Sequence, residues 1–287
     1  MGLGENVQEW LISQNKFQNG PLSKRKVFSK KAYTISITSG KGGVGKTSIS
    51  VKMSKILAEW GYKILLIDCD YNLSNTIVKL GIPVNNNFLK YIKNEKELDD
   101  CIYKEGNFHL LSGCNGDLEL SGKKFFFENI LFNILYKKER EYDFIFLDCP
   151  AGISSENLII NAYCDFRFVV VTPDKSSITD SYSLIKILNK KHGVTKNHLL
   201  VNKVLYKVQF NKLVKSLSET VQNFLNCRLN ILGGIVREKS SYESFDEILF
   251  LSEKTRLHKN FCNVLNKFTD EVIELPDNNM AQITRVN

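Results

Sequence analysis

Ser39-Gly40-Lys41-Gly42-Gly43-Val44-Gly45-Lys46-Thr47 is the stretch that decides how this chain is read. Before it, Tyr33–Thr38 (YTISIT) is an apolar run of strand type; after it, Ser48–Trp60 repeats apolar residues at helical spacing. A strand, a glycine-rich loop and a helix form the setting that turns a G-x-x-x-x-G-K-[ST] pattern into a phosphate cradle rather than a chance turn. The glycines let successive backbone N–H groups converge on one anion, and the helix N-terminus adds a partial positive charge. Lys46 is placed to reach the β- and γ-phosphates, and the Thr47 hydroxyl to ligate Mg2+. The expected ligand is a nucleotide.

The same loop carries a second lysine, Lys41, for which an ordinary phosphate loop has no use because Lys46 already serves the phosphates. The run Lys41–Thr47, KGGVGKT, resembles the deviant Walker A motif of the MinD/ParA family of ATPases. The resemblance implies an α/β fold: a single-domain P-loop NTPase whose mostly parallel sheet carries helices on both faces. It implies ATP and Mg2+ as cofactors, with Gly40, Lys41, Gly42, Gly43, Val44, Gly45, Lys46, Thr47 and Ser48 around the nucleotide. It also implies an ATP-dependent homodimer in which Lys41 crosses to the partner's nucleotide and acts with Lys46 in catalysis.

At 287 residues the chain is long enough for one large α/β domain, and 43% hydrophobic with 24% charged residues is ordinary for a globular protein. No apolar run reaches the roughly 18 residues of a membrane-spanning helix. Met1–Asn6 has neither a basic nor an apolar signal region, so no secretory leader is expected. Seven cysteines without a Cys-x-x-Cys pair read as reduced thiols in a cytoplasm. Cys69 and Cys149 lie within apolar strands as small buried residues, and no metal or iron–sulfur site is expected. The net charge of +8 is uneven: Trp10 to Ala58 holds no acidic residue, and Lys16, Lys24, Arg25, Lys26, Lys30 and Lys31 cluster before the first strand. Such a segment is either a solvated tail or a contact for nucleic acid or anionic lipid.

Three parts are expected: a basic extension at 1–31, the ATPase domain at 32–275 and a polar tail at 276–287. In the extension, Asn6–Phe17 sets Val7, Trp10 and Leu11 among polar residues as a short amphipathic helix does. Lys63–Asp68 is a second strand ending in Asp68-Cys69-Asp70, and carboxylates at such an end lie where open α/β sheets hold ligands. Asp68–Asn75 resembles the family's D-x-D-x-G-L-x-N, with Asn72 in the glycine position. By that likeness Asp68 supports Mg2+ through its water shell and Asp70 positions the attacking water. Residues 83–106 read as surface loop and short helices, Phe108–Gly113 as a strand whose His109 is structural, and Phe125–Tyr136 as a helix with an apolar face.

Asp143–Asp148 is a buried strand of Walker B type that offers one carboxylate, Asp148, to the metal. Asp148, Pro150, Ala151 and Gly152 match the family's D-x-P-A-G, and Gly152 is expected to let the backbone approach the γ-phosphate. Phe166–Thr172 is a strand. Pro173–Tyr182 after it resembles the stretch T-P-[ED]-x-x-[SA]-I-T-D-[AS]-Y of the FlhG (YlxH) branch, whose members set flagellar number and position. Asn197–Val204 is the next strand, and the family places an adenine-reading asparagine at its end, here Asn202, whose amide can both donate and accept. Asn230–Val236 is the last long strand, followed by Arg237 where the family has proline. Ser252 is placed to cap a final helix carrying Leu257, Phe261, Val264, Leu265, Phe268 and Val272 on one stripe, with Pro276 closing it.

The resemblance thus implies a slow, partner-regulated ATPase of the FlhG-like branch, a switch that dimerises around ATP and separates after hydrolysis to ADP and phosphate. Its implied partners are a second copy of itself and an FlhF-like GTPase or flagellar basal-body proteins. Glu5–Leu11 resembles only loosely the N-terminal motif that stimulates that GTPase. The expected location is cytoplasmic, with recruitment to the membrane or a cell pole by a partner. Within the family the alternatives are a ParA-type DNA-partition ATPase, which positive charge suits, and a MinD-type division-site regulator. Outside it stands an ATP-dependent metal-cluster carrier or reductase, which needs converging cysteines. The tail after Pro276 lacks the apolar face of an interfacial helix, so no membrane anchor is expected there.

Overall fold

Tyr33–Thr38 forms strand β1, buried from Thr34 onward on both faces of its pleat, which requires cover from both sides. The computed structural model describes residues 31–70, 76–83, 87–113, 127–238, 246, 248–250 and 255–273. After β1 come α1 (Lys46–Glu59), β2 (Ile64–Asp68), α2 (Thr76–Lys79), α3 (Asn87–Ile92), α4 (Leu98–Cys101), β3 (Tyr103–Glu105) and β4 (Phe108–Leu111). The chain continues through α5 (Phe127–Lys138), β5 (Phe144–Asp148), α6 (Ser155–Tyr163), β6 (Phe166–Val171) and α7 (Lys175–His192). It closes with β7 (Lys196–Val204), α8 (Lys207–Leu225), β8 (Arg228–Val236) and α9 (Arg256–Ile273).

The strands make one sheet in the order β3-β4-β2-β5-β1-β6-β7-β8, parallel throughout except for β3 against β4. Strand alternation divides the core. Phe144 and Phe146 of β5 pack with α1 and α9 on one face, while Ile145 and Leu147 pack with α5 on the other. This is the expected P-loop architecture, with both faces covered. Because β1 lies between β5 and β6, the loops leaving the C-terminal ends of β1, β2 and β5 meet at a topological switch point.

Two boundaries differ from expectation. Residues 83–106 contain strand β3, whose three residues are all exposed and carry no apolar alternation to announce an edge strand. The last helix starts at Arg256, with the Thr255 hydroxyl accepting from the His258 N–H at 3.1 Å as an N-cap does. Ser252, the expected cap, lies outside the described residues, as do the 6–17 helix, Asn72 and the polar tail. His109 is structural as expected: it is buried, with Nδ1 2.9 Å from the Tyr142 hydroxyl. Among the described residues no helix is long and apolar enough to cross a membrane.

The stripe on α9 works as a wedge. Phe268, fully buried, sets its ring 5.0 Å from Phe166 and 4.9 Å from Phe168, both nearly perpendicular. Phe268→Ala is expected to lower the free energy of unfolding by about 3–5 kcal/mol, read by urea denaturation, since the void lies between a helix and three strands that cannot collapse independently.

Candidate nucleotide site

The phosphate loop is held by its neighbours as well as by its own Ser39, whose hydroxyl donates to the Lys41 carbonyl at 2.6 Å. Gly45, the N-cap of α1, has φ 99°, and a Cβ there would lie 2.6 Å from Asn202 Nδ2. A Cβ on Gly40 would collide with the Asp180 carbonyl of α7, whereas one on Gly42 meets nothing within 4 Å. From the end of β7, Asn202 Nδ2 donates to the Val44 carbonyl at 2.7 Å and Lys203 Nζ donates to the Gly43 carbonyl at 2.9 Å. The Lys203 N–H donates to Asn202 Oδ1 at 2.8 Å. The Asn202 amide therefore spends one donor and one acceptor on protein and keeps one N–H and one lone pair for a base. Lys203 was not foreseen; its left-handed backbone, φ 57°, is what turns its ammonium back over the loop, and nothing in its side chain signals that conformation.

Beyond β5, Gly152 makes a structural bond of its own. Its φ of 97° does demand glycine, but its N–H is donated to the Ser39 carbonyl at 3.0 Å, so it ties the Walker B loop to the phosphate loop. Asn157 on α6 clamps that turn, donating from Nδ2 to the carbonyls of Pro150 at 3.1 Å and Gly152 at 2.7 Å. Ser154 caps α6 by accepting from the Asn157 N–H.

The carboxylates converge as expected. Asp68 and Asp148 are in register at the ends of β2 and β5 and are both buried. Asp68 accepts from the Asp70 N–H at 3.0 Å and from the Thr76 hydroxyl at 2.7 Å. Asp148 accepts from the Ser50 hydroxyl at 3.1 Å. Burial, and then the charge of Asp68, push the Asp148 carboxyl up to about 7, against the pull of Thr47, Lys46 and Ser50. Burial lowers the Lys46 ammonium, while Asp148, Cys149 and Asp70 pull it the other way. Lys46 Nζ donates to Ser39 Oγ at 3.2 Å. Thr47, Asp68 and Asp148 make a hard-oxygen set on which negative charge is under-compensated, and this fits Mg2+, which binds few carboxylates and takes its other ligands from phosphate and water. Ser50 and Thr76 were not foreseen. Ser50 lies one helical turn beyond Lys46 on α1, the only signal available.

Lys41 takes a cis partner. Its Nζ is 3.0 Å from Asp174 Oδ1 and donates to Ser176 Oγ at 2.6 Å, both at the start of α7 of the same chain. Asp174 is the N-cap of α7, accepting from the Ser177 N–H at 2.9 Å and from the hydroxyls of Thr172 and Ser176 at 2.6 and 2.7 Å. Burial would raise its carboxyl, but those donors and Lys41 hold it well below the usual carboxylate range. The side chains of Lys41 and Asp174 are 40% and 45% exposed, so the ion pair contributes about 0–1 kcal/mol.

The chain is similar to known proteins. The AAA domain family matches residues 32–201. The antiactivator FleN of Pseudomonas aeruginosa is 29% identical over 207 residues, 72% of this chain and 74% of its own. The flagellum site-determining protein YlxH of Helicobacter pylori is 32% identical over 210 residues, 70% of this chain and 68% of its own. Among solved structures, the septum site-determining protein MinD complexed with Mg-ADP from Pyrococcus horikoshii superimposes with a TM-score of 0.66 at 23% identity, over 85% of this chain and 98% of that one. That last likeness shows the fold.

Two glycines of one loop should behave differently. Gly45→Ala forces a non-glycine residue into positive φ and displaces Asn202, so it is expected to cost at least about 1–2 kcal/mol and to weaken ATP binding. Gly42→Ala is expected to stay within about 0.5 kcal/mol of the parent. Thermal melts with and without ATP–Mg2+ check both.

Proposed function

The chain belongs to the MinD/ParA-type AAA domain family of P-loop ATPases, and on that premise we propose that it is an ATP-driven dimerisation switch regulating flagellar number or placement. It is an ATPase that uses ATP and Mg2+. The flagellar reading is supported by the likeness to FleN and YlxH, together with the Pro173–Tyr182 stretch. Residues 32–275 are proposed to carry the ATPase, with an FlhF-like GTPase or flagellar basal-body proteins as partners.

One observation carries the switch: Lys41 rests on the half-exposed cap residue Asp174 by a pair that costs little to break. In the proposed cycle Lys46 holds the β- and γ-phosphates, Asn202 reads adenine, and Thr47, Asp68 and Asp148 hold Mg2+, which supplies charge neutralisation at the phosphates. Lys41 leaves Asp174 and reaches the partner's nucleotide, and Asp70 orients the attacking water. Asp174 is then relieved of its cation but keeps its three neutral donors, so the α7 cap survives the exchange.

Three substitutions separate the roles, read by size-exclusion chromatography with light scattering and by phosphate release. Lys46→Ala is expected to abolish ATP binding; near-normal turnover would remove the assignment of Lys46. Lys41→Ala is expected to bind ATP as a monomer without dimerising or hydrolysing, and an unchanged ATP-dependent dimer would remove the trans role. Asp70→Ala is expected to dimerise and hydrolyse slowly; rapid turnover would exclude it as the water-orienting group. ATP-dependent DNA binding with a steep salt dependence would move the protein to the partition branch.

A further inference from the structure

We propose that the aromatic stripe on α5 and α6 is the docking site of this chain's own N-terminal segment, residues 1–30, seated through Trp10 and its apolar neighbours. Phe132 and Tyr136 follow one another by a helical turn on α5, and Tyr163 of α6 stacks on Phe132 with ring centroids 4.4 Å apart. Tyr136 is 74% exposed and Tyr163 41%. Three aromatic rings on adjoining helices make a contiguous apolar surface of the kind that marks an interaction site. It is separate from the nucleotide site, because Tyr163 closes α6 just ahead of β6, at the sheet end opposite the phosphate loop.

The chain itself indicates the occupant. The described structure begins at Lys31, whose Nζ pairs with Glu139 Oε2 at 2.5 Å, while the Ala32 N–H donates to the Glu139 carbonyl at 2.6 Å. Glu139 lies seven residues after Phe132 and three after Tyr136, on the same side of α5. The N-terminal segment therefore leaves the domain at the foot of the stripe. The 13 residues between Phe17 and Lys31 can stretch to roughly 40 Å, whereas the whole of α5 is about 18 Å long. Tethering so close gives the segment an effective concentration that a free partner has to exceed.

Chemistry matches on both sides. Val7, Trp10 and Leu11 share one face at helical spacing and need an apolar partner. Lys16, Lys24, Arg25, Lys26 and Lys30 accompany them. One turn before Phe132, Glu128 Oε2 is buried with no hydrogen-bond partner among the described residues, so the stripe is bounded by Glu128 at one end and Glu139 at the other. A basic amphipathic segment supplies rings for the stripe and a cation for Glu128, Glu139 already being paired with Lys31.

Only two tryptophans are present, so Trp60→Phe leaves Trp10 as the sole reporter in the full-length chain. Docking predicts blue-shifted Trp10 emission, protected from acrylamide and independent of protein concentration. Tyr136→Glu, and separately Tyr163→Glu, are expected to red-shift it and restore quenching while circular dichroism shows the domain still folded, Tyr136 being 74% and Tyr163 41% exposed. Solvent-like emission from Trp10 in the parent would overturn the proposal. So would protected emission indifferent to both stripe substitutions, which would place Trp10 elsewhere. Protection that appears only as concentration rises would assign the stripe to a second copy's segment and overturn docking in cis. Each readout is independent of ATP turnover.

Discussion

A parallel strand buried on both faces can offer chemistry only at its ends, and that constraint organises this protein. β1 from Thr34 onward, β2 and β5 are buried, so the groups they can offer a ligand lie at their C-terminal tips. There the register pairs Asp68 with Asp148, and the loop after β1 is left without regular partners of its own. Three bonds from outside fix its backbone carbonyls: Gly152 N–H to Ser39, Asn202 to Val44 and Lys203 to Gly43. A loop positioned from both sides can have its N–H groups aimed before any anion arrives, which is the preorganisation phosphate binding requires.

The same crowding bears on the proposed switch. Asp148 is raised to about 7 because burial and Asp68 both oppose its charge, so the site favours arrival of a cation. Lys46 stands among Asp148, Cys149 and Asp70, a local charge balance that belongs to one subunit. Lys41 is outside it, held by the start of α7 through Asp174 and Ser176. Two lysines five positions apart thus serve different charges: one buried and fixed, the other half-exposed and exchangeable. The proposed exchange costs little, because Asp174 has three other donors and a half-exposed ion pair contributes about 0–1 kcal/mol.

Much of this was legible in the sequence because it is written in side-chain type and spacing. The run of β5 ending in Asp148, the glycines before Lys46 and the six-residue stripe of the last helix each carry a periodicity or motif that survives without coordinates. What stayed hidden depends on backbone direction or on distant partners. Asn157 is an ordinary helical residue until the turn at Gly152 folds beneath it, and Lys203 acts only because its φ is 57°. β3 is a three-residue strand specified by its partner β4 rather than by its own pattern. Asp174 lies in a stretch that resembles the family's, yet its bond to Lys41 spans 133 positions that only the fold brings together.

The central claim, that Lys41 works in the partner's site and Asp70 in its own, is tested most directly by mixing two inactive variants. Lys41→Ala subunits keep Asp70 but lack the crossing lysine, and Asp70→Ala subunits supply that lysine but cannot orient water. A mixed dimer, held by the one crossing lysine that the Asp70→Ala subunit supplies, then contains one complete site. The account predicts that phosphate release, absent from Lys41→Ala and slow in Asp70→Ala alone, rises on mixing to a rate neither shows. A mixture no faster than the two separate preparations would contradict it.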